Sequence, residues 1–486
     1  MDAHTVQSPH GSFYHLSHVS LSGRACCGLA CFAARHDAPQ RWQHAHGMTP
    51  PLYCLGQCYR GPAAQGDDAP VHIEARARHA VLLGNVISGP LRDVAAYQQA
   101  GGGHALQQAV VTPPAVLLDL IAASGLRGRG GAGYPTAKKW LAVAREPAGR
   151  KYVVANADEG DPGSFSDRLL IEDDPFRLIE AMIIAGLAVG AQLGYIYLRK
   201  EYLDAQGILH AALAQAHEAG WLGASVLGCG RGFDIELVVG QGSYVCGEET
   251  SMLNAIEGRR PEVRPRPPQI TERGLFDRPT LVNNVETLCA VPWIVSHGAE
   301  AYREMGVGKS RGTKLLSLNS LFHRPGLYEV EFGISLREVV DGLGGGLRRG
   351  VLKGVMVGGP LAGLVPPALL DTPLDYEALH AIGCAVGHGG VIAFAEDTSI
   401  AELLAEVFRF GARESCGKCT PCHLGAPELA RRLEALLQGE RIPEPRWQAL
   451  IAALESASLC GHGRGLAEFA RAIERHYGEE LASCFA

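Results

Sequence analysis

The chain has little with which to meet a membrane or a nucleic acid. Its longest apolar run, around Ala181 to Ala191, is bounded by Glu180 and Gln192 and falls well short of the ~20 residues a helix needs to cross a bilayer, so it predicts a buried helix. A basic surplus is also missing. With 44 Lys and Arg against 51 Asp and Glu, the net charge is -7, which argues against the phosphate neutralisation that nucleic-acid binding requires. Residues 1 to 20 are polar and His-bearing rather than basic and then apolar, so a secretory leader is not expected and the cytoplasm is the default location. There are no internal repeats. What remains is a globular composition, 47% hydrophobic and 20% charged. At 486 residues it is long enough for about three to four domains.

Cysteine and glycine are plentiful instead, at 14 and 61. In a reducing compartment clustered cysteines are metal ligands sooner than disulfides. Cys416, Cys419 and Cys422 fall at two-residue intervals in Glu414-Ser-Cys-Gly-Lys-Cys-Thr-Pro-Cys422, and Cys460 follows in Ser458-Leu-Cys. Three ligands from one turn and a fourth from a distant helix suit the corner irons of a [4Fe-4S] cubane. Structural zinc is the alternative, although zinc usually takes two ligands from each of two knuckles. Near the amino terminus, Cys26-x4-Cys31 and Cys54-x3-Cys58 make two pairs that can hold a [2Fe-2S] centre with one iron per pair, leaving Cys27 spare. Only 22 residues separate Cys31 from Cys54, so a relic domain or a zinc site stays open here. Cys229, Cys246, Cys289, Cys384 and Cys484 are scattered and read as packing.

Composition divides the chain into a Cys-, His- and Pro-rich segment, 1–75; a linker, 76–110, with Gly101-Gly-Gly103; an α/β domain, 111–310; a β-rich domain, 311–398, broken by Pro-Gly and Gly-Gly pairs; and a helical bundle, 399–486. Strands are predicted at 151–155 and 194–198, helices at 174–193 and 202–220, and bundle helices at 401–410, 426–437, 446–456 and 466–478.

Gly128, Gly130 and Gly133 match G-x-G-x-x-G within Gly125 to Trp140, but residues 115–124 before them read as helix rather than strand, which rejects a Rossmann unit. The loop, with Arg127, Arg129, Lys138 and Lys139, can still take an anionic cofactor, because glycine allows close approach and the cations offset phosphate. Asn156 to Ser164, Gly247 to Thr250 and Val282 to Thr287 mix glycine, amide and carboxylate, groups suited to a flavin edge and to ribose hydroxyls.

These motifs, in this order over about residues 110 to 475, resemble the NADH-oxidising flavoprotein subunit of respiratory complex I and its relatives in NAD-linked formate dehydrogenases and NAD-reducing hydrogenases. The resemblance implies FMN held by the loop Gly128, Arg129, Gly130, Gly131, Ala132, Gly133 through Ala137, with Lys139, Asn156, Asp158, Glu159, Tyr244, Gly247, Glu248, Val282, Asn283, Asn284 and Thr287. It implies NADH stacked over that flavin, Tyr134 as the aromatic after the loop, and Glu249 near the adenosine ribose, where its charge would favour NAD over NADP. It also implies [4Fe-4S] on Cys416, Cys419, Cys422 and Cys460, a ubiquitin-like (SLBB-type) β-rich domain, and an abbreviated thioredoxin-like amino-terminal [2Fe-2S] module on Cys26, Cys31, Cys54 and Cys58.

Departures from the family pattern are Asp161 in place of Glu, Ala142 and Gln269 in place of aromatic rings, and His423 and Gly461-His-Gly-Arg464 beside the cluster cysteines. The expected activity is electron transfer between NAD(H), FMN and iron-sulfur clusters without a side-chain nucleophile or obligatory general base. The expected partner is an iron-sulfur catalytic subunit of a soluble formate dehydrogenase or hydrogenase, with or without a small [2Fe-2S] subunit. A complex I subunit, a flavin-free electron carrier and a zinc-stapled interaction protein are the alternatives.

Overall fold

The computed structural model describes residue 16, residues 18–67 and residues 69–486. Strands Tyr152–Ala157, Leu193–Leu198, Asp234–Val239 and Thr280–Asn284 form a fully parallel sheet. Its spatial order is Asp234–Val239, Leu193–Leu198, Tyr152–Ala157, Thr280–Asn284. The first three strands in the chain wind in one direction and the last returns to the far side of the first. The order therefore reverses beside Tyr152–Ala157, and the register there sets Asn156 against Asn284 at the carboxyl ends. Ligand crevices of open α/β sheets lie at such reversals.

The apolar run is the helix Pro175–Val189, buried along its whole length because the sheet and the helices His104–Val111, Pro114–Ser124 and Thr136–Arg145 surround it. Gly190, at φ 77°, ends it as a left-handed cap. The helix is shorter than the predicted 174–193, since Leu193 already opens the next strand.

The segment expected as a linker, 76–110, is instead packed structure. Helices Val94–Gln99 and His104–Val111 seat Tyr97, Leu106 and Ala109 in the core. The buried Glu180 carboxylate accepts from Tyr97 Oη at 2.6 Å, Gly103 N at 3.0 Å and Leu106 N at 2.7 Å, satisfying amides at the start of the second helix from outside. The glycines that suggested flexibility answer to space: a Cβ on Gly102 would sit 2.2 Å from the Tyr97 ring.

The β-rich domain is a mixed sheet in the order His72–Ala75, Gly326–Glu331, Thr313–Leu318, Gly390–Ala395, Leu352–Val357. Its edge strand His72–Ala75 comes from the amino-terminal segment and pairs parallel to Gly326–Glu331. The thioredoxin-like expectation for that segment is corrected. Among the described residues before His72 there is no strand, only the bridge between Ala25 and Ala64. The Cys31 to Cys54 interval holds the helix Pro39–Gly47 and lacks the β-branched runs a central sheet needs.

Helices Ile400–Arg413, Ala426–Leu437, Glu444–Ala457 and Gly461–Ala482 form the bundle. The three-cysteine motif lies between the first two helices, and Cys460 caps the last. Among the described residues no helix is long and apolar enough to cross a membrane.

Glu180→Ala leaves three buried donors unsatisfied, at ~1–3 kcal/mol each. It should lower stability by about 3 kcal/mol or more, seen as early thermal melting with cofactor affinity retained up to the transition.

Candidate functional site: a nucleotide cleft beside two sets of thiols

A cleft of about 560 Å³, open to solvent on one side, lies at the sheet reversal, within the ~300–1,000 Å³ usual for a small-molecule or cofactor site. Gly128, Gly130, Gly131, Ala132, Gly133, Tyr134 and Lys139 line one side of it. Asn156, Gly247, Glu248, Glu249, Val282, Asn283, Asn284 and Thr287 line the other. The structure thus gathers into one cavity residues spread over about 160 positions of sequence.

Each amide is pinned. Asn156 Nδ2 donates to the Gly247 carbonyl at 2.8 Å, Trp140 Nε1 donates to Asn283 Oδ1 at 2.9 Å, and Asn284 Oδ1 accepts from Thr287 N at 3.1 Å, capping helix Val285–Cys289. Gly131 has φ 132°, and a Cβ there would meet nothing within 4 Å. The loop thus presents bare backbone to the cavity, as a phosphate or flavin edge requires.

Five residues expected in the site stand behind the cleft rather than in it. Arg129 is buried with Nη2 2.8 Å from Tyr302 Oη, and its guanidinium lies over the Phe332 ring, so it is a pillar of the loop. Glu159 accepts from Ser164 Oγ at 2.6 Å, Tyr202 Oη at 2.9 Å and Arg168 N at 3.0 Å. Asp161 accepts from Tyr244 Oη at 2.6 Å. Asp158 and Tyr244 line a small neighbouring cavity, and burial lifts the Asp158 carboxyl well above the usual carboxylate range.

Ala142 and Gln269 do line the cleft, as do Lys138, Arg266, Ile270 and Thr271. Arg266 is not foreseeable from the sequence because its segment carries no recognisable motif. It reaches Glu248 at 2.6 Å and Glu249 at 3.0 Å, while Lys139 reaches Glu249 at 2.7 Å.

Cys416, Cys419, Cys422 and Cys460 line a small cavity together with Val245, Val263, Leu459 and His462. The buried His462 Nδ1 there has no hydrogen-bond partner, nor has Ser458 Oγ. Gly463 is required, since a Cβ would lie 2.3 Å from Ser458 Oγ and 3.3 Å from Cys422 Cβ. Burial pushes the Cys460 thiol up to about 11, so a metal is needed to hold the thiolate.

In the amino-terminal segment, the Cys54 and Cys58 sulfurs are 3.5 Å apart, Cys26 and Cys31 hydrogen-bond each other, and the two pairs interact electrostatically. Gly28 N, Gly56 N and Ala63 N donate to Cys26, Cys54 and Cys31 at 3.3, 3.4 and 3.4 Å, the amide-to-sulfur bonding that suits cluster ligands. Cys27 turns away and donates to the Ala45 carbonyl at 3.1 Å. Among the described residues, Glu159, Asp167 and His388 alone form a set of three His, Cys, Asp or Glu whose ligand atoms all lie within 4.8 Å of one another.

A flavin-sized cleft at a sheet reversal, with cluster-type thiols beside it, defines a class: a flavin and iron-sulfur oxidoreductase subunit acting on NAD(H). The chain belongs to the family of the F subunits of NADH-quinone oxidoreductases. Residues 121–293 match the Nuo51 FMN-binding domain and residues 402–484 the NADH-ubiquinone oxidoreductase-F iron-sulfur binding region. It is 40% identical to the F 2 subunit of the NADH-quinone oxidoreductase of Rhizobium meliloti over 83% of this chain and 97% of that one. It is 41% identical to the HndC subunit of the NADP-reducing hydrogenase of Solidesulfovibrio fructosivorans over 75% and 74%. Its structure superposes on a chain of an NAD+-reducing [NiFe]-hydrogenase in the H2-reduced state with TM-score 0.83 and 29% identity, covering 98% of this chain and 87% of that one.

Anaerobic reconstitution with iron and sulfide should give two distinguishable reduced-cluster EPR signals. Cys422→Ser should abolish the cubane signal, Cys54→Ser the binuclear one, and Cys27→Ser neither.

Proposed function

We propose that the chain is the NAD(H)-handling subunit of a larger assembly, reducing NAD with electrons from an iron-sulfur subunit of a soluble formate dehydrogenase or hydrogenase. The observation that carries this reading is the meeting of Asn156 and Asn284 across the sheet reversal, facing the bare backbone of Gly128–Gly133, with thiol sets on the flanking domains. FMN in the cleft would supply the conversion between two-electron hydride transfer and one-electron transfer to clusters.

The chain's residues then bind and orient. The loop backbone and Lys139 receive the phosphate; Asn156, Gly247, Glu248, Val282, Asn283, Asn284 and Thr287 hold the flavin; and Asp158, Glu159, Asp161 and Tyr244 fix the strand-end turn behind it. Tyr134, half exposed at the rim, covers the outer nucleotide. Cys416, Cys419, Cys422 and Cys460 hold [4Fe-4S], and Cys26, Cys31, Cys54 and Cys58 hold [2Fe-2S]. Coverage of nearly the whole chain by the NAD+-reducing hydrogenase structure supports the soluble assembly over a complex I role. Ala142 and Gln269 in the cleft wall offer no ring to a nicotinamide or adenine. Each missing aromatic contact is worth ~0.5–1.5 kcal/mol, so NADH binding is weaker than in relatives with rings there.

Anaerobic titration of the FMN-loaded, iron-reconstituted chain with NADH should bleach the flavin and raise the cubane signal. Bound FMN that NADH leaves oxidised would overturn the dehydrogenase reading in favour of a pure electron carrier.

Glu249 opposes the extra phosphate of NADP while engaging Lys139 and Arg266. Glu249→Gln frees Lys139 and leaves Arg266 with Glu248 alone, and it should raise kcat/KM for NADPH relative to NADH by about tenfold, or ~1.4 kcal/mol; an unchanged ratio counts against the assignment.

A further inference from the structure

The β-rich domain has no recognised chemistry, yet it backs the cleft directly. Tyr376 Oη donates to the Gly128 carbonyl at 2.8 Å, Gly131 and Gly387 form an antiparallel bridge, and Arg127 meets Glu377 at 2.8 Å. One residue beyond that bridge, His388 is buried with Nε2 2.9 Å from Asp167 Oδ2, 3.2 Å from Asn284 Nδ2 and 3.9 Å from Glu159 Oε1. The same Asp167 oxygen accepts from Asn284 Nδ2 at 2.6 Å, so one carboxylate ties the imidazole to an amide of the cleft wall. Gly130 rests on that amide's side chain, since a Cβ there would stand 2.9 Å from Asn284 Cβ.

The charged groups facing His388 come from both domains. The α/β domain contributes Asp167, Glu159 and Asp161. The β-rich strand contributes Lys314, which donates to the His388 carbonyl at 3.1 Å and is itself paired with Glu286. Among the described residues His388 is the only ion-pair partner of Asp167 and of Glu159. Burial opposes a charge on the ring, but the two carboxylates override it and lift the imidazole to about 9.

We propose that His388 is a positioning residue for FMN: a buried cation, supplied by the β-rich domain, that locks the Asn284 wall and offsets the negative charge the cofactor gains on reduction. This rests on FMN occupying the cleft. Reduction then strengthens the hold of His388 on its proton, so above the ring's titration point each reduction draws a proton onto it.

The test is spectroelectrochemistry of the flavin in the FMN-loaded, cluster-reconstituted chain from pH 6 to pH 10.5. The wild-type midpoint potential should fall more steeply with pH above about 9. In His388→Gln that break should vanish and the Kd for FMN rise about tenfold, with the cubane EPR signal unchanged. Tyr376→Phe, which removes the bond to Gly128 but no charge, should weaken FMN and keep the break. A wild type with NADH-reducible FMN and no break overturns the proposal without any variant, as does a break that survives in His388→Gln. A chain that binds no FMN at all would overturn the reading of the cleft itself.

Discussion

Gly130 and Gly133 touch side chains from two different domains: a Cβ on the first would lie 2.9 Å from Asn284, and one on the second 2.8 Å from the Tyr376 ring. The loop between them is therefore clamped between the parallel sheet and the β-rich domain, and its backbone stays free for a ligand only while both stay in place. The second clamp draws the β-rich domain against the flavin domain, and that domain in turn takes its edge strand His72–Ala75 from the amino-terminal segment. A space constraint on one short glycine loop thus reaches well beyond the sheet that carries it.

The turn after Asn156 is the second meeting point. The Cys54 sulfur lies 4.0 Å from the Ser164 carbonyl, and Gly28 packs on Pro162. Tyr244 bonds Asp161 and packs edge-on against Phe410 of the first bundle helix, with His462 of the cluster cavity 5.7 Å from its ring. The proposed flavin site thus has one set of thiols behind each side of the same turn. An obligate two-electron donor and one-electron acceptors need a mediator between them, and the fold places the cleft where that mediator would stand.

Much of the site was legible because its chemistry is local in sequence. Cys-x2-Cys-x2-Cys, the Asn-Asn pair and the glycine loop each carry their residue types side by side, and the apolar run Ala181–Ala191 could only be buried. What escaped was set by long-range packing. Gly101-Gly-Gly103 looked like a flexible joint, but the Tyr97 ring and the Glu180 carboxylate, the latter 77 residues away from Gly103, define it. Arg129 looked like a phosphate ligand because it sits among glycines, and it is a buried pillar against Tyr302 and Phe332. Tyr376 and His388 lie more than 240 residues from the loop they support, with nothing in their local sequence to join them to it. The amino-terminal segment resembled a thioredoxin-like module through its cysteine spacing and the Gly-Pro that follows; the strands such a module needs are missing from the described residues before His72, while the paired thiols remain.

The most direct test of the account is coulometric reduction of the FMN-loaded, iron-reconstituted chain, counting electrons taken up per chain alongside metal analysis. The account predicts about four, two into the flavin and one into each cluster, with iron as the metal. About two, with zinc in both thiol sets, would contradict it.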